Sequence, residues 1–388
     1  MAHWPNPFKP TAGATPPVLV GRQPLLDALA EGIEDGPGAP ARLTIFTGAR
    51  GVGKTVMLTE ADDIATRYGW LHIDETATPG MLDRLNEHVG RLLDGFRPRP
   101  KRRITGIGLP GGLGSITTQI IPEQSVQLRQ QIITLLEESA RLNRDSGLLI
   151  TIDEVHSGIS DLRELAVIIQ HLVRDDYQIA LVLAGLPSAV SDLLRHDSQG
   201  RVLTFLRRAD KHTLADVSVD EVYEAFDQTI KAGGREIDPA ALAAAADATF
   251  GYPFLIQLIG YHVWRSTPEK RITLPNALAG IDAARRRMGS LVHETALADL
   301  SEIDKTFLAA MSRDDQPSRM LDIRRRMGGI SSQHLNRYRE RLLTAGLIRQ
   351  TGHGRVDYAL PHLRQYLREH SATLGLLPDE ADFDNQTE

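Results

Sequence analysis

The octapeptide Gly48-Ala49-Arg50-Gly51-Val52-Gly53-Lys54-Thr55 constrains this chain more than any other stretch. It is a full G-x-x-x-x-G-K-T, set between an apolar, β-branched run, Leu43–Thr47, and a helical pattern, Val56–Thr66. In that setting the glycines let backbone N–H groups curl around a polyphosphate, and the helix N-terminus adds its dipole. Lys54 is then a point charge for the β- and γ-phosphates. The Thr55 hydroxyl suits Mg²⁺, a hard cation that takes oxygen ligands. The expected ligand is ATP with Mg²⁺, bound by Gly48, Ala49, Arg50, Gly51, Val52, Gly53, Lys54, Thr55 and Val56.

Such a loop needs a sheet beneath it. Short runs apolar on both faces recur at Leu43–Thr47, Trp70–Ile73, Leu148–Ile152 and Ile179–Leu183, the pattern of buried parallel strands. Between the last two, Leu162, Leu165, Ile169 and Leu172 repeat at helical spacing across Asp161–Val173, as a crossover helix requires. The run Leu148–Ile152 ends in two acids, Asp153 and Glu154. With the phosphate loop upstream, Asp153 is expected to hold Mg²⁺ through its water shell. Glu154 is expected to orient and deprotonate an attacking water. The catalytic candidates are thus Glu154 and Lys54, and the metal candidates Thr55 and Asp153.

Composition sets the bounds. The 388 residues, 41% hydrophobic and 24% charged, suit a soluble globular protein of two or three domains. The chain has no cysteine, which removes disulfides and cysteine-ligated metal sites and fits a cytoplasmic location. No signal peptide and no bilayer-length apolar run is visible. Thirteen histidines are scattered without metal-ligand spacing, so no metal beyond Mg²⁺ is expected. Residues 1–17, with five prolines, read as a flexible tail and residues 371–388 as an acidic one. Phe96–Pro122 reads as an inserted loop, and its Pro100-Lys101-Arg102-Arg103 as either a phosphate-backbone contact or a solvated stretch. The net charge of −6 is uneven: residues 301–370 hold thirteen Lys and Arg against eight Asp and Glu, a balance of +5. A basic module on an acidic chain fits nucleic-acid binding.

Together these motifs resemble the AAA+ and STAND superfamily, in particular the branch of origin-recognition and loader ATPases, over roughly Val18–Trp264. The fold this implies is α/β: a P-loop NTPase parallel sheet over 18–215, a helical lid and linker over 216–299, and a C-terminal winged-helix domain. Gly21 and Arg22, followed by Leu25, Leu26 and Leu29, resemble the entry motif beside the adenine. Ser188, after Ile179–Leu183, is the polar candidate for sensor 1, although it lies past the strand end. Arg207 and Arg208 fall where an arginine finger acts on a neighbouring subunit's site, or else where surface ion pairs form. The lid stretch Gly251-Tyr252-Pro253-Phe254-Leu255-Ile256-Gln257 departs from the initiator pattern, having no arginine at the expected turn. Its G-x-P resembles STAND ATPases, which makes Pro253 a nucleotide-site candidate or simply a helix-start proline. After Ala215 no further strand is expected before the C-terminal module; Val217–Ala232 and Asp238–Trp264 read as helical, with Asp238 as N-cap.

Residues 300–370 resemble a winged helix-turn-helix. Helices are expected at Ser301–Met311, Pro317–Met327 and Ser331–Ala345, then a hairpin turning at Gly352-His353-Gly354. The first turns of the third helix enter the major groove in such folds, so Ser331, Ser332, Gln333, Asn336 and Arg337 are expected to meet double-stranded DNA, with Arg341 also facing outward. Arg355 on the wing reaches a phosphate or the minor groove. Arg324, Arg325 and Arg326 either add phosphate contacts or solvate the second helix. Two functions are carried forward. One is an ATPase coupling nucleotide state to DNA. The other is a STAND-like switch whose winged helix is a protein-interaction or autoinhibitory module, working with a partner protein or as a homo-oligomer.

Overall fold

A computed structural model describes residues 4–11, 13–96, 124–156, 160–195, 204–298 and 300–370. The apolar runs form the strands expected of them. β1 (Leu43–Thr47), β2 (Leu71–Thr76), β3 (Leu148–Val155) and β4 (Ile179–Gly185) join β5 (Asp210–Thr213) in a parallel sheet of order β2-β3-β4-β1-β5. Alternation along each strand builds two cores. Ile45, Ile150, Ile152, Leu181 and Leu183 face α3 (Met81–Phe96), α4 (Gln124–Leu142) and α5 (Ser160–Arg174). Phe46, Leu149, Val182 and Ala184 face α1 (Gln23–Glu34) and α2 (Lys54–Arg67). Covering both faces is what lets these strands be apolar throughout. Two short helices, α6 (Pro187–Leu194) and α7 (Thr204–Arg207), lead from β4 to β5.

Helices α8 (Val219–Ala232), α9 (Pro239–Ala248), α10 (Pro253–Arg265) and α11 (Leu274–Met288) follow, and their apolar faces continue the second core. Strands do not stop at Ala215, contrary to expectation: β6 (Glu236–Ile237) and β7 (Arg271–Ile272) pair in parallel. Asp238 occupies the N-cap position of α9, yet its side chain makes no capping bond. Its carboxylate instead accepts from Arg271 Nε at 2.5 Å, clasping the two-residue strands together.

Residues 4–11 do not behave as the free tail that their prolines suggested. Phe8 is 3% exposed, in edge-to-face contact with Phe226 and against the bare backbone of Gly260. Trp264 Nε1 donates to the Trp4 carbonyl, and Asn6 Nδ2 to that of Tyr261. Burying Phe8 contributes roughly 2 kcal/mol, enough to hold a short segment. The expected insertion, apart from Phe96, and the acidic tail lie outside the described residues.

The last unit begins after a π-turn, Gly289–His293, and α12 (Glu294–Ala298). It contains α13 (Glu302–Ser312), α14 (Met320–Arg326), α15 (Ser332–Thr344) and α16 (Leu363–His370). Its antiparallel sheet has the order β8-β10-β9, with β8 (Ser318–Arg319), β9 (Ile348–Gly352) and β10 (Arg355–Tyr358). The second helix is therefore shorter than expected, because Ser318 and Arg319 pair with Val356 and Arg355. Arg326 is spent internally, bonding Asp314 at 2.6 and 2.9 Å and the Ala310 carbonyl, and Arg324 donates to the Ile330 carbonyl. Arg325 lies 3.8 Å from Asp322. Arg341 does not stand free either: it donates to Asp304 at 2.6 Å and lies over the Tyr338 ring.

Candidate functional site

The phosphate loop runs from the end of β1 to the start of α2. Gly51 has φ +76°, and a Cβ there would collide with the Tyr252 hydroxyl, so glycine is required twice over. Lys54 Nζ donates to the Gly48 and Ala49 carbonyls at 2.9 and 2.7 Å, folding the ammonium into its own loop. Burial lowers its pKa, and Asp153 opposes that shift. Thr55 Oγ1 donates to Asp153 Oδ2 at 2.6 Å across the gap between α2 and β3. Two hard oxygens converging beside a lysine fit a magnesium–polyphosphate ligand, with Thr55 and Asp153 as its holders. Val52 is buried beneath the loop, while Ala49 and Val56 are half-buried.

Glu154 is placed by an irregularity in the sheet. Ile152 pairs with Leu183 and Val155 with Gly185, so Asp153 and Glu154 together oppose Ala184 alone. This bulge gives Glu154 a φ of +54°, and its amide donates to Asp153 Oδ1 at 2.7 Å. A non-glycine residue in the left-handed region costs of order 1 kcal/mol or more. Here the strain keeps the two neighbouring acids apart: Asp153 turns to Thr55, and Glu154 is exposed.

Arg22 reaches the loop from the other side. Its Nη2 donates to the Ala215 carbonyl at 2.6 Å and to the Val52 carbonyl at 3.4 Å. Burial lowers the Arg22 pKa, offset by Asp216 and Glu221. Gly21, at φ +66°, leaves room for the Glu221 carboxylate. The helical unit closes on the loop through the residue before Pro253. Tyr252 is 1% exposed and its hydroxyl donates to the Arg50 carbonyl at 2.6 Å. Phe254 N donates to the Gly51 carbonyl at 3.2 Å. Burial pushes the Tyr252 phenol well above its ordinary value. Pro253 occupies the first turn of α10 between these two contacts.

Other expected site residues are dispersed. Ser188 Oγ donates to the Thr344 carbonyl of the C-terminal unit at 3.3 Å. Arg207 Nε donates to the Leu194 carbonyl at 2.9 Å, and Arg208 is exposed next to it, ahead of the edge strand β5. Ser331 caps α15, accepting from His334 N at 3.3 Å. Ser332, Gln333 and Asn336 are exposed. Arg337, also exposed, lines a cleft of about 620 Å³ with Arg50, Leu186, Glu340, Arg341, Thr344 and Ala345. Arg355 is exposed and pairs across strands with Arg319.

Residues 39–194 match the model of an AAA domain. Residues 290–367 match a domain of unknown function, DUF8462. No curated protein matches the chain. Among solved structures, the chain is similar to the Walker-type ATPase PABY2304 of Pyrococcus abyssi. The TM-score is 0.61 at 16% identity, over 90% of this chain and 96% of that one. Residues 39–194 carry an AAA-type P-loop ATPase fold. More distant likenesses are the Thermotoga maritima RuvB Holliday junction branch migration motor and the Aeropyrum pernix Orc1 protein in complex with DNA. Both have TM-score 0.44 and 16% identity. The first spans 90% of this chain and 95% of its own, the second 93% and 96%. Within the AAA fold, Lys54, Thr55, Asp153 and Glu154 are brought together as the motifs required, while Tyr252 and Arg319 were not singled out from the sequence. The sequence holds no signal for Tyr252, because its burial and its acceptor on Arg50 both come from the fold. No helix among the described residues is long and apolar enough to cross a membrane.

Proposed function

We propose that this chain is an ATP- and Mg²⁺-dependent AAA+-type ATPase in which nucleotide state controls a C-terminal winged helix that binds double-stranded DNA. In this reading the parallel sheet (18–215) binds the nucleotide, α8–α11 form the lid (216–299), and residues 300–370 are the winged-helix domain. Magnesium, when bound, would neutralise the charge of the phosphates. Lys54 releases the Gly48 and Ala49 carbonyls to take the phosphates, and Thr55 and Asp153 hold the metal. Glu154 orients the water and accepts its proton. Arg22 and Gly21 lie on the base side, and Pro253 carries the Tyr252 clamp that senses the loop.

The observation that carries the coupling is the contact between the C-terminal unit and the nucleotide face. Ser188 donates to Thr344, and Arg349 lies 3.9 Å from Asp216, which also lies in the field of Arg22. One carboxylate thus links the base-side arginine to the wing strand β9. The DNA reading rests on the exposed Ser332, Gln333 and Asn336 in the first turns of α15, and on Arg319 and Arg355. Two like charges paired across strands repel unless an anion lies between them, and neither has a carboxylate partner among the described residues.

The test is ATP hydrolysis by the full chain with and without double-stranded DNA at two salt concentrations. Stimulation that fades with salt is expected, because released counterions drive such binding. No response to DNA, with tightly retained ADP, sinks the DNA reading. It would favour the STAND-like switch, in which the same docked helix is an autoinhibitory or protein-binding module. The arginine-finger role of Arg207 and Arg208 requires self-association, so specific activity independent of protein concentration removes both from the mechanism.

A further inference from the structure

The cleft between the phosphate loop and α15 has an unusual lining. Arg50 projects from the tip of the loop, and Arg337 faces the same space from the second turn of α15. Neither guanidinium has an acidic partner among the described residues. The other two charged groups there are engaged: Arg341 with Asp304, and Glu340 with Arg339. Around them the wall is small or apolar, from Leu186, Thr344 and Ala345. Two unpaired guanidinium groups held across one cleft repel each other, and an anion between them relieves that repulsion. Planar forks of this kind recognise phosphate by paired, charge-assisted hydrogen bonds. The only anion that the neighbouring loop is built to present is the outer phosphate of its nucleotide.

We infer that Arg337, together with Arg50, binds the terminal phosphate of the nucleoside triphosphate held on the loop of the same chain. This rests on the ATP-binding reading above and adds the residue through which α15 reads the nucleotide. The triphosphate then draws the C-terminal unit onto the nucleotide face, and loss of the terminal phosphate leaves the two arginines repelling across the cleft. Arg337 is therefore a nucleotide-reading residue and not a base-reading one. Ser332, Gln333 and Asn336 of α15 stay available when the cleft is closed.

The experiment measures binding of a non-hydrolysable ATP analogue and of ADP to the full chain, with Mg²⁺, for the wild type, Arg337→Ala, Arg337→Lys and Lys54→Ala. Arg337→Ala is expected to weaken the analogue by about tenfold or more, the loss typical of one charge-assisted contact, and ADP by less than about twofold. Arg337→Lys should recover part of the loss. Equal effects on both nucleotides, or none, overturn the inference, as does a variant that loses only DNA affinity. If Lys54→Ala still binds both nucleotides, the ATP-binding reading itself has failed, and this is distinguishable from failure at Arg337. Should the Arg337 variants misfold, Leu186→Cys with Ala345→Cys in the otherwise cysteine-free chain provides a second readout. Disulfide formation faster with the analogue than with ADP supports the inference, and equal rates overturn it.

Discussion

Glu154 shows how a single backbone angle assigns chemistry. With φ at +54° inside the β3 bulge, it stays outside the Thr55–Asp153 hydrogen bond and is exposed. Glu154→Gln is expected to bind ATP as the wild type does and to lose turnover by at least about 100-fold, the usual contribution of a positioned base. Unchanged turnover in a steady-state assay would remove Glu154 from the reaction. Asp62, on the buried side of α2, makes a different prediction. Burial pushes its pKa up to about 7, and Thr151 Oγ1 donates to it at 3.2 Å. A carboxyl raised in the folded state costs nothing below its unfolded value near 4, and its penalty grows as pH rises to about 7. Asp62→Asn should therefore stabilise the protein above pH 7, by at most ~4 kcal/mol, and hardly at pH 4. Thermal unfolding at both pH values checks this. The convergence of Lys54, Thr55 and Asp153 at the loop was legible because it follows from motif spacing. The placements of Ser188, Arg337 and Arg341 were not: Ser188 and Arg341 bond Thr344 and Asp304, far away in sequence, and Arg337 lines a cleft with the equally distant Arg50.

At the scale of elements, α10 is the part most closely tied to the nucleotide loop. It begins at a turn where Gly251 has φ +70° and where a Cβ would strike the Val217 carbonyl. That turn delivers Tyr252 OH to Arg50 and the Phe254 amide to Gly51. Tyr252→Phe removes one hydrogen bond while keeping the ring. The expected loss is about 1 kcal/mol of stability together with faster nucleotide release, because the Arg50 carbonyl loses its donor. Stopped-flow displacement of a fluorescent nucleotide reads the second effect, and an unchanged release rate would make the contact structural only. The helix start itself was readable from Gly251-Tyr252-Pro253, and so were all four apolar strands of the sheet. The two-residue strands β6, β7 and β8 were not. Each is too short to show a period and exists only because a distant partner supplies its hydrogen bonds.

For the molecule as a whole, the junction between the helical and C-terminal units carries a buried histidine that contributes to its response to acid. His293 is 1% exposed at the end of the π-turn, its Nε2 within 2.9 Å of the Pro361 carbonyl. A carbonyl only accepts, so Nε2 carries a proton, while the buried Nδ1 has no partner that would favour a second one. Burial lowers its pKa to about 4. The stability this neutral ring provides is complete above about pH 6.5 and is lost as pH falls towards 4, by up to ~3 kcal/mol. A melting temperature that falls across this window in the wild type, but less in His293→Gln, is the expected result. A parallel fall in both would clear His293.

The N-terminal segment has a practical consequence. Arg235 lies over both Trp4, at 5.6 Å, and Trp264, at 4.9 Å, and Trp264 stands on the helix that Tyr252 caps. Two of the three indoles in the chain therefore share one guanidinium at the back of the clamp. An unlabelled sample thus carries an intrinsic optical reporter of that joint. It also follows that an affinity tag fused at Met1 would start only three residues from this joint, so a purification handle belongs at the opposite terminus.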